Sequence, residues 1–236
     1  FVPLHFLTAQ VGRFGHKRVT GDFDHALTEK LAVRLNGMYE NSDSFRKYVD
    51  LQRTGVNPTL TFVPGDRTTI TAGYEYLHDT RVADRGIPSF QGRAVPVDRS
   101  TYYGNPVDSR ARAGVHLGST FVEHRFEHFT LRNRTLLGDY DRFYQNYVPG
   151  AVSADGSTVA LTAYNNATSR KNLFNQTDLI TSVATGKLRH TVLIGAEFGR
   201  QLTDNFRNTG YFNNTATTLN VPYLNSTTSL PVTYRQ

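Results

Sequence analysis

Between Thr80 and Arg110 the chain carries Arg81, Arg85, Arg93, Arg99 and Arg110 against Asp84, Asp98 and Asp108, with Phe90, Tyr102 and Tyr103 among them. Guanidinium groups meet anions through planar, forked hydrogen bonds and stack on flat rings. Phenol rings add apolar area and one hydroxyl. A surplus of arginine beside such rings suits capture of an anionic ligand. The competing reading is a solvated loop whose charges meet water or neighbouring loops. Tyr144, Tyr147 and Tyr164 in a later stretch, and Tyr211, Phe212 and Tyr223 in a third, suit either contact with the same ligand or packing between loops. A separate constellation, His124-Arg125-Phe126-Glu127-His128, matches H-x-x-E-H. Zinc hydrolysis by that motif needs both His on one helical face. The flanking residues read as strand ends and a turn, so this is the weaker chemistry. The sequence holds no nucleophile elbow, phosphate loop or dinucleotide fingerprint.

The elements that would position these residues are clearest from Lys171 to Leu202. Leu188, His190, Val192, Ile194, Ala196 and Phe198 alternate with Arg189, Thr191, Gly195, Glu197, Gly199 and Gln201. Before the turn at Thr185-Gly186-Lys187, Leu173, Thr177, Leu179 and Val183 alternate with Gln176, Asp178 and Ser182. One apolar and one polar face, sustained beyond an ordinary strand, suit a wall between lipid and water, which about 9–11 tilted residues cross. The pattern recurs in Leu31, Val33, Leu35 and Tyr39, in Val56, Pro58, Leu60 and Phe62, in Ile70, Ala72, Tyr74 and Tyr76, and in Phe129, Leu131, Thr135 and Leu137. Pro58 removes a ladder donor and predicts a bulge or a locally unpaired site. Tyr74, Tyr76 and Tyr140 fit an aromatic girdle.

Short turns near 26–30, 64–66, 127–128 and 185–187 alternate with longer connections near 41–50, 80–110, 142–169 and 203–236. Sorting loops by length onto two rims is a property of outer-membrane barrels. The expected fold is therefore all-β, an antiparallel up-and-down meander of about nine long strands. The 236 residues contain no cysteine, which removes disulfide and thiolate chemistry. No apolar run reaches the length of a membrane helix. The net charge of +6 is spread along the chain and forms no block. Basic charge with 13 Tyr and 15 Phe also leaves open a soluble β-rich module for nucleic acid or glycan, whose apolar strand faces would pack against a second sheet. The chain opens on Phe1 in a strand-like pattern with no charged leader, as expected of a fragment.

Several segments, in order, resemble the barrel of TonB-dependent siderophore receptors of the ferrichrome and ferric-catecholate branch. They are Arg34-Leu35-Asn36, Thr54 to Phe62, Asp84-Arg85-Gly86-Ile87-Pro88, Tyr102-Tyr103-Gly104-Asn105-Pro106, Glu123-His124-Arg125-Phe126, Leu131-Arg132-Asn133, Tyr140-Asp141-Arg142 and Gly186 to Gly199. The resemblance implies one domain over 1–236, an open part of a barrel of about 22 strands, without the plug and the remaining strands. It also implies a Gram-negative outer-membrane location and uptake of ferric siderophores, with energy from the TonB complex acting through the plug. It implies no enzymatic activity, no nucleic acid and no cofactor, iron entering only as chelated cargo. Candidate contacts are then Arg81, Arg85, Phe90, Arg93, Arg99, Tyr102, Tyr103, Tyr144, Tyr147, Tyr211 and Phe212, facing a ferric catecholate.

Overall fold

The computed structural model describes residues 4–236, so the strand-like opening expected at Phe1 lies outside them. The strands are β1 (Leu4–Val11), β2 (Lys17–Ala26), β3 (Leu31–Asp43), β4 (Asp50–Gly65), β5 (Thr68–Arg81), β6 (Ser89–Phe90), β7 (Arg93–Ala94), β8 (Arg110–Arg125), β9 (Phe129–Val152), β10 (Thr158–Thr185), β11 (Leu188–Phe212), β12 (Thr218–Pro222) and β13 (Val232–Arg235). One antiparallel sheet runs β1-β2-β3-β4-β5-β8-β9-β10-β11-β13, with β12 beside β10, and β6-β7 form a separate hairpin. β1–β5 and β8–β11 are the nine long strands, in meander order. The two ends of the sheet do not meet among the described residues. No helix of the structure is long and apolar enough to cross a membrane.

Because residues opposite each other on paired strands share a face, the registers assign every side chain. Val19, Leu35, Val56, Leu60, Phe62, Tyr74, Leu131, Leu137, Leu173, Ile194 and Phe198 all fall on one face. All of them are exposed, Ile194 at 66%. No second sheet covers this face among the described residues, which removes the sandwich expected of a soluble module. The opposite face carries Asp22 bound to Arg34 (2.8 and 2.6 Å), Glu75 bound to Asn57 (3.3 Å) and Glu123 bound to Arg132 (2.6 Å). Charge on one side and exposed hydrocarbon on the other make a wall between lipid and water.

Four short turns, the tightest at Gly186 with φ +61°, close one rim. Longer connections gather at the other. Pro58 keeps its place opposite Leu35 on β3 but drops out of the β4–β5 ladder without shifting the register, so it is a locally unpaired site. Two stretches differ from expectation. Over 142–169 there is no long loop: β9 and β10 stay paired up to Val152↔Val159, leaving only a turn at 153–157. Asn and Thr replace apolar residues there and hide the alternation, but backbone pairing does not depend on side-chain polarity. For the same reason the region from Thr203 first continues β11 to Phe212, and the loop carrying β12 and β13 begins after it. The tall β9-β10-β11 hairpins support a small core of Val95, Tyr103, Tyr147, Val159, Leu161, Ala163, Phe212 and Val221. Each fully buried large side chain there contributes about 1.5–3 kcal/mol to holding the loops.

Candidate functional site

The aromatics predicted to touch ligand divide sharply. Tyr102, Tyr103 and Tyr147 are each 1% exposed and Phe212 is 2% exposed. The Tyr103 hydroxyl donates to the Tyr223 carbonyl (3.0 Å), and the Tyr102 hydroxyl donates to that of Ala83 (3.1 Å). Burial pushes the Tyr102 phenol up to about 12. The Asp108 carboxylate accepts the hydroxyls of Tyr147 and Tyr234 (2.9 Å each) and the Gln145 amide (2.8 Å). At Gly104, φ is +127° and an added Cβ would lie 2.5 Å from that of Tyr147, so only glycine fits. These side chains lock the 82–109 connection to the last loop and present no ring to a ligand. Phe90 packs against the same core.

The arginines also divide. Arg93 is exposed on the β6-β7 hairpin, and Arg99 lies 6.0 Å from the Phe45 ring. Arg81 is held by Asp79 at 2.7 Å. Tyr211 lies under Arg235 at 4.0 Å. Arg85 instead crosses to the polar face of the sheet, where it donates to the Asn146 amide oxygen and to the Tyr164 hydroxyl (3.0 Å). There it meets residues set by strand register: Arg142↔Thr168, Tyr144↔Asn166, Asn146↔Tyr164 and Tyr140↔Arg170 from β9 and β10, and Asn166↔Arg207 from β11.

The result is an arginine–tyrosine cluster at the loop end of the polar face. Arg207 sits 4.1 Å over Tyr164, Arg85 lies 5.7 Å from Tyr144 and 5.9 Å from Tyr164, and Arg142 lies 5.8 Å from Tyr144. Tyr144 and Tyr164 meet edge to face at 5.7 Å. Among the described residues Arg85, Arg142, Arg170 and Arg207 make no ion pair. Their partners are neutral: Arg142 reaches the Thr168 hydroxyl at 3.4 Å and Arg170 that of Thr203 at 3.1 Å. Like charges held by neutral partners repel one another, and a bound anion relieves that repulsion. A cleft of about 330 Å³ opens beside Arg81, Arg85, Arg142 and Tyr144, with Asp79 and Asp84, which are paired to Arg81 and Arg46, also on its wall.

Of the residues the sequence offered for ligand contact, this cluster contains Arg85, Tyr144 and Tyr164, with Arg81 on its rim. Sequence reasoning missed Arg142, Arg170 and Arg207. It assigned Tyr140 to the girdle with Tyr74 and Tyr76, whereas Tyr140 pairs with Arg170 on the opposite face. The available signal was the two-residue spacing of Arg142, Tyr144 and Asn146, which continues the polar row of Arg132 and Arg134. The H-x-x-E-H residues form a strand end and a turn. His124 is bound to Thr68 at 2.7 Å, and the described residues contain no group of His, Asp and Glu that could hold a metal ion.

No family model matches the chain. The catecholate siderophore receptor Fiu of Escherichia coli K12 is 28% identical over 231 residues, covering 84% of this chain and 29% of the relative. The metal-pseudopaline receptor CntO of Pseudomonas aeruginosa UCBPP-PA14 is 28% identical over 209 residues, covering 86% and 29%. PiuA of Acinetobacter baumannii, a probable TonB-dependent siderophore receptor, is 26% identical over 207 residues, covering 82% of this chain and 28% of the relative. In the crystal structure of the ferric-catecholate import receptor Fiu from Escherichia coli K12, closed form, the match has a TM-score of 0.77 at 25% identity, over 95% of this chain and 35% of that one. The ferric preacinetobactin receptor BauA of Acinetobacter baumannii matches over 99% of this chain with a TM-score of 0.83, but at 14% identity it speaks to fold alone. The sheet is thus a partial barrel of the outer-membrane receptor type. The chain spans about three-tenths of the length of these curated relatives.

Proposed function

We propose that this chain is the ligand-capturing wall of an outer-membrane receptor that takes up ferric siderophores in a TonB-dependent manner. The observation that carries this reading is the cluster of Arg85, Arg142, Arg170 and Arg207, without carboxylate partners, beside Tyr140, Tyr144 and Tyr164. It lies on the water-facing side of the wall, at the rim where the long loops gather. An anionic ferric chelate with aromatic rings would meet guanidinium charge and find flat rings to stack on. The iron is cargo held by its chelator, and no protein side chain is proposed to ligate it. Capture and passage are non-covalent, so no reaction is catalysed. Release inward would follow rearrangement of a plug domain pulled by the TonB complex. The relatives named as catecholate receptors support the ligand class.

The test is binding kinetics of the complete receptor carrying Arg85→Gln and Arg142→Gln, with a ferric catecholate and a neutral hydroxamate chelate. Association with the anionic chelate should slow more than release quickens, and the loss should shrink as salt rises from low ionic strength to 0.1 M and above, where screening sets in beyond about 10 Å. Unchanged rates at low salt would remove the cluster from capture. An equal loss for the neutral chelate would show that these arginines hold shape and do not read charge.

A further inference from the structure

Near the loop rim the water-facing side of β9 and β10 carries hydrogen-bonding or charged residues, but β8 breaks that rule. Ala111, Ala113, Val115 and Leu117 follow one another on this face, each half-buried. The two alanines form the middle column of a grid set by register. One row is Asp79↔Ala113↔Arg142 and the next is Arg81↔Ala111↔Tyr144. One row further from the rim stand three larger side chains, Leu77↔Val115↔Tyr140. Methyl groups between taller neighbours make a slot one strand wide, stepped up at its lower end. This grid lines the cleft of about 330 Å³, together with Val82, Ala83, Asp84 and Arg85 of the following connection. That connection is pinned. The Val82 N–H donates to the Asp50 carbonyl (3.2 Å), the Ala83 carbonyl accepts the Tyr102 hydroxyl, and Asp84 pairs with Arg46 (2.9 Å). Asp79 is held by Arg53 and Arg81, so both carboxylates of the lining are already paired. Arg112 and Phe143 alternate to the other face, where they stack at 5.1 Å. Arg85 and Arg142 are the guanidinium groups of the lining that make no ion pair among the described residues on this face.

We propose that Ala111 and Ala113 are specificity-determining residues, the floor of a slot that seats one planar aromatic ring of the chelate. The inference rests on the capture reading and names the part of the cargo that this cleft reads. Width selects a flat group. A ring in van der Waals contact on both faces needs about 7–8 Å between the atoms that flank it. β5 and β9 stand two strand spacings apart, about 9.5 Å, with β8 between them. The walls select an aromatic group. On the β9 side Arg142 and Tyr144, 5.8 Å apart, offer a guanidinium and a ring to stack on. Arg85 can meet anionic oxygens on the edge of the same ring. The floor selects depth. A methyl group at Ala111 and Ala113 lets the ring sink toward the Val115 row, and a longer side chain would occupy that depth itself.

The test fills the slot in the complete receptor with Ala113→Val and Ala113→Leu. Three probes are used: a ferric catecholate, iron-free 2,3-dihydroxybenzoate, and the saturated-ring counterpart of that acid. Release of the ferric catecholate should quicken about tenfold in Ala113→Leu and by less in Ala113→Val, the size of one lost stacking contact. Association should hardly change, because a floor of methyl groups acts only on contact. Saturation-transfer NMR should show the wild type binding the flat acid in preference to the saturated one, and Ala113→Leu should lose that preference. Wild-type release rates in both variants overturn the proposal, as does equal binding of the flat and saturated acids by the wild type. Urea midpoints report whether each variant is folded. If Ala113→Leu is not, Ala113→Val and the wild-type preference decide the question. A wild type that prefers the flat acid but binds no ferric catecholate would defeat the capture reading and leave the slot. Unchanged binding of the ferric catecholate by folded Ala113→Leu would defeat the slot and leave the capture reading.

Discussion

Asn133 and Asn175 sit in the middle of the lipid-facing side, where bare amides are costly. They solve the problem between themselves. The Asn133 amide donates to the Asn175 oxygen (3.1 Å) and the Thr177 hydroxyl (2.8 Å), and the Asn175 amide donates to the Asn133 oxygen (3.1 Å) and the Thr135 hydroxyl (2.8 Å). Every amide hydrogen is used. Asn133→Leu should therefore destabilise the folded receptor by about 1–3 kcal/mol, because it strands part of the Asn175 amide in hydrocarbon. Adding Asn175→Leu should recover most of the loss by removing the stranded group. Urea midpoints for refolding into vesicles measure both. A double variant no more stable than the single would show that the ladder is not what holds these residues there.

At the scale of the element, β11 makes the face assignment measurable. Ile194 lies opposite Leu179, which lies opposite Leu131, all on the exposed apolar face. Thr191 lies opposite Ser182 on the polar face. In the complete receptor, Ile194→Arg should cost about 2–4 kcal/mol if it lies near the bilayer midplane, whereas Thr191→Arg stays in water. Refolding into liposomes compares them, and equal costs would mean that the register is wrong. The same alternation places Arg142 and Tyr144 where they can act. A strand, unlike a loop, holds them on one side at fixed spacing, which is what a preorganised capture surface requires.

At the scale of the molecule, an open sheet has two edges. Among the described residues β1 pairs only with β2, and β11 pairs with β13 only over Thr209–Phe212, leaving a long row of its outer backbone groups outside any ladder. Unpaired edges beside exposed hydrocarbon template aggregation. This chain expressed by itself should collect in inclusion bodies and need detergent to disperse. A monodisperse monomer in plain buffer, seen by light scattering, would contradict the membrane wall.

Alternation by itself was enough to specify the long strands, the two faces and the sorted rims, because side-chain direction in a strand depends only on parity. That is why Ile194 and Leu131 could be assigned to lipid from their neighbours in the chain. Parity weakened where Asn and Thr fill both faces, so the continuation of β9 and β10 past Arg142 and Ser169 read as loop. The capture cluster needed tertiary structure for a different reason. Arg85 stands 61 residues from Asn146 and 79 from Tyr164, and only the fold of the 82–109 connection brings them together. Composition marked that connection as rich in arginine and tyrosine but could not sort its members. Tyr102 and Tyr103 went inward because a loop this long must bury apolar area to hold a shape. Arg85 stayed at the surface because a guanidinium with no carboxylate partner is costly to bury.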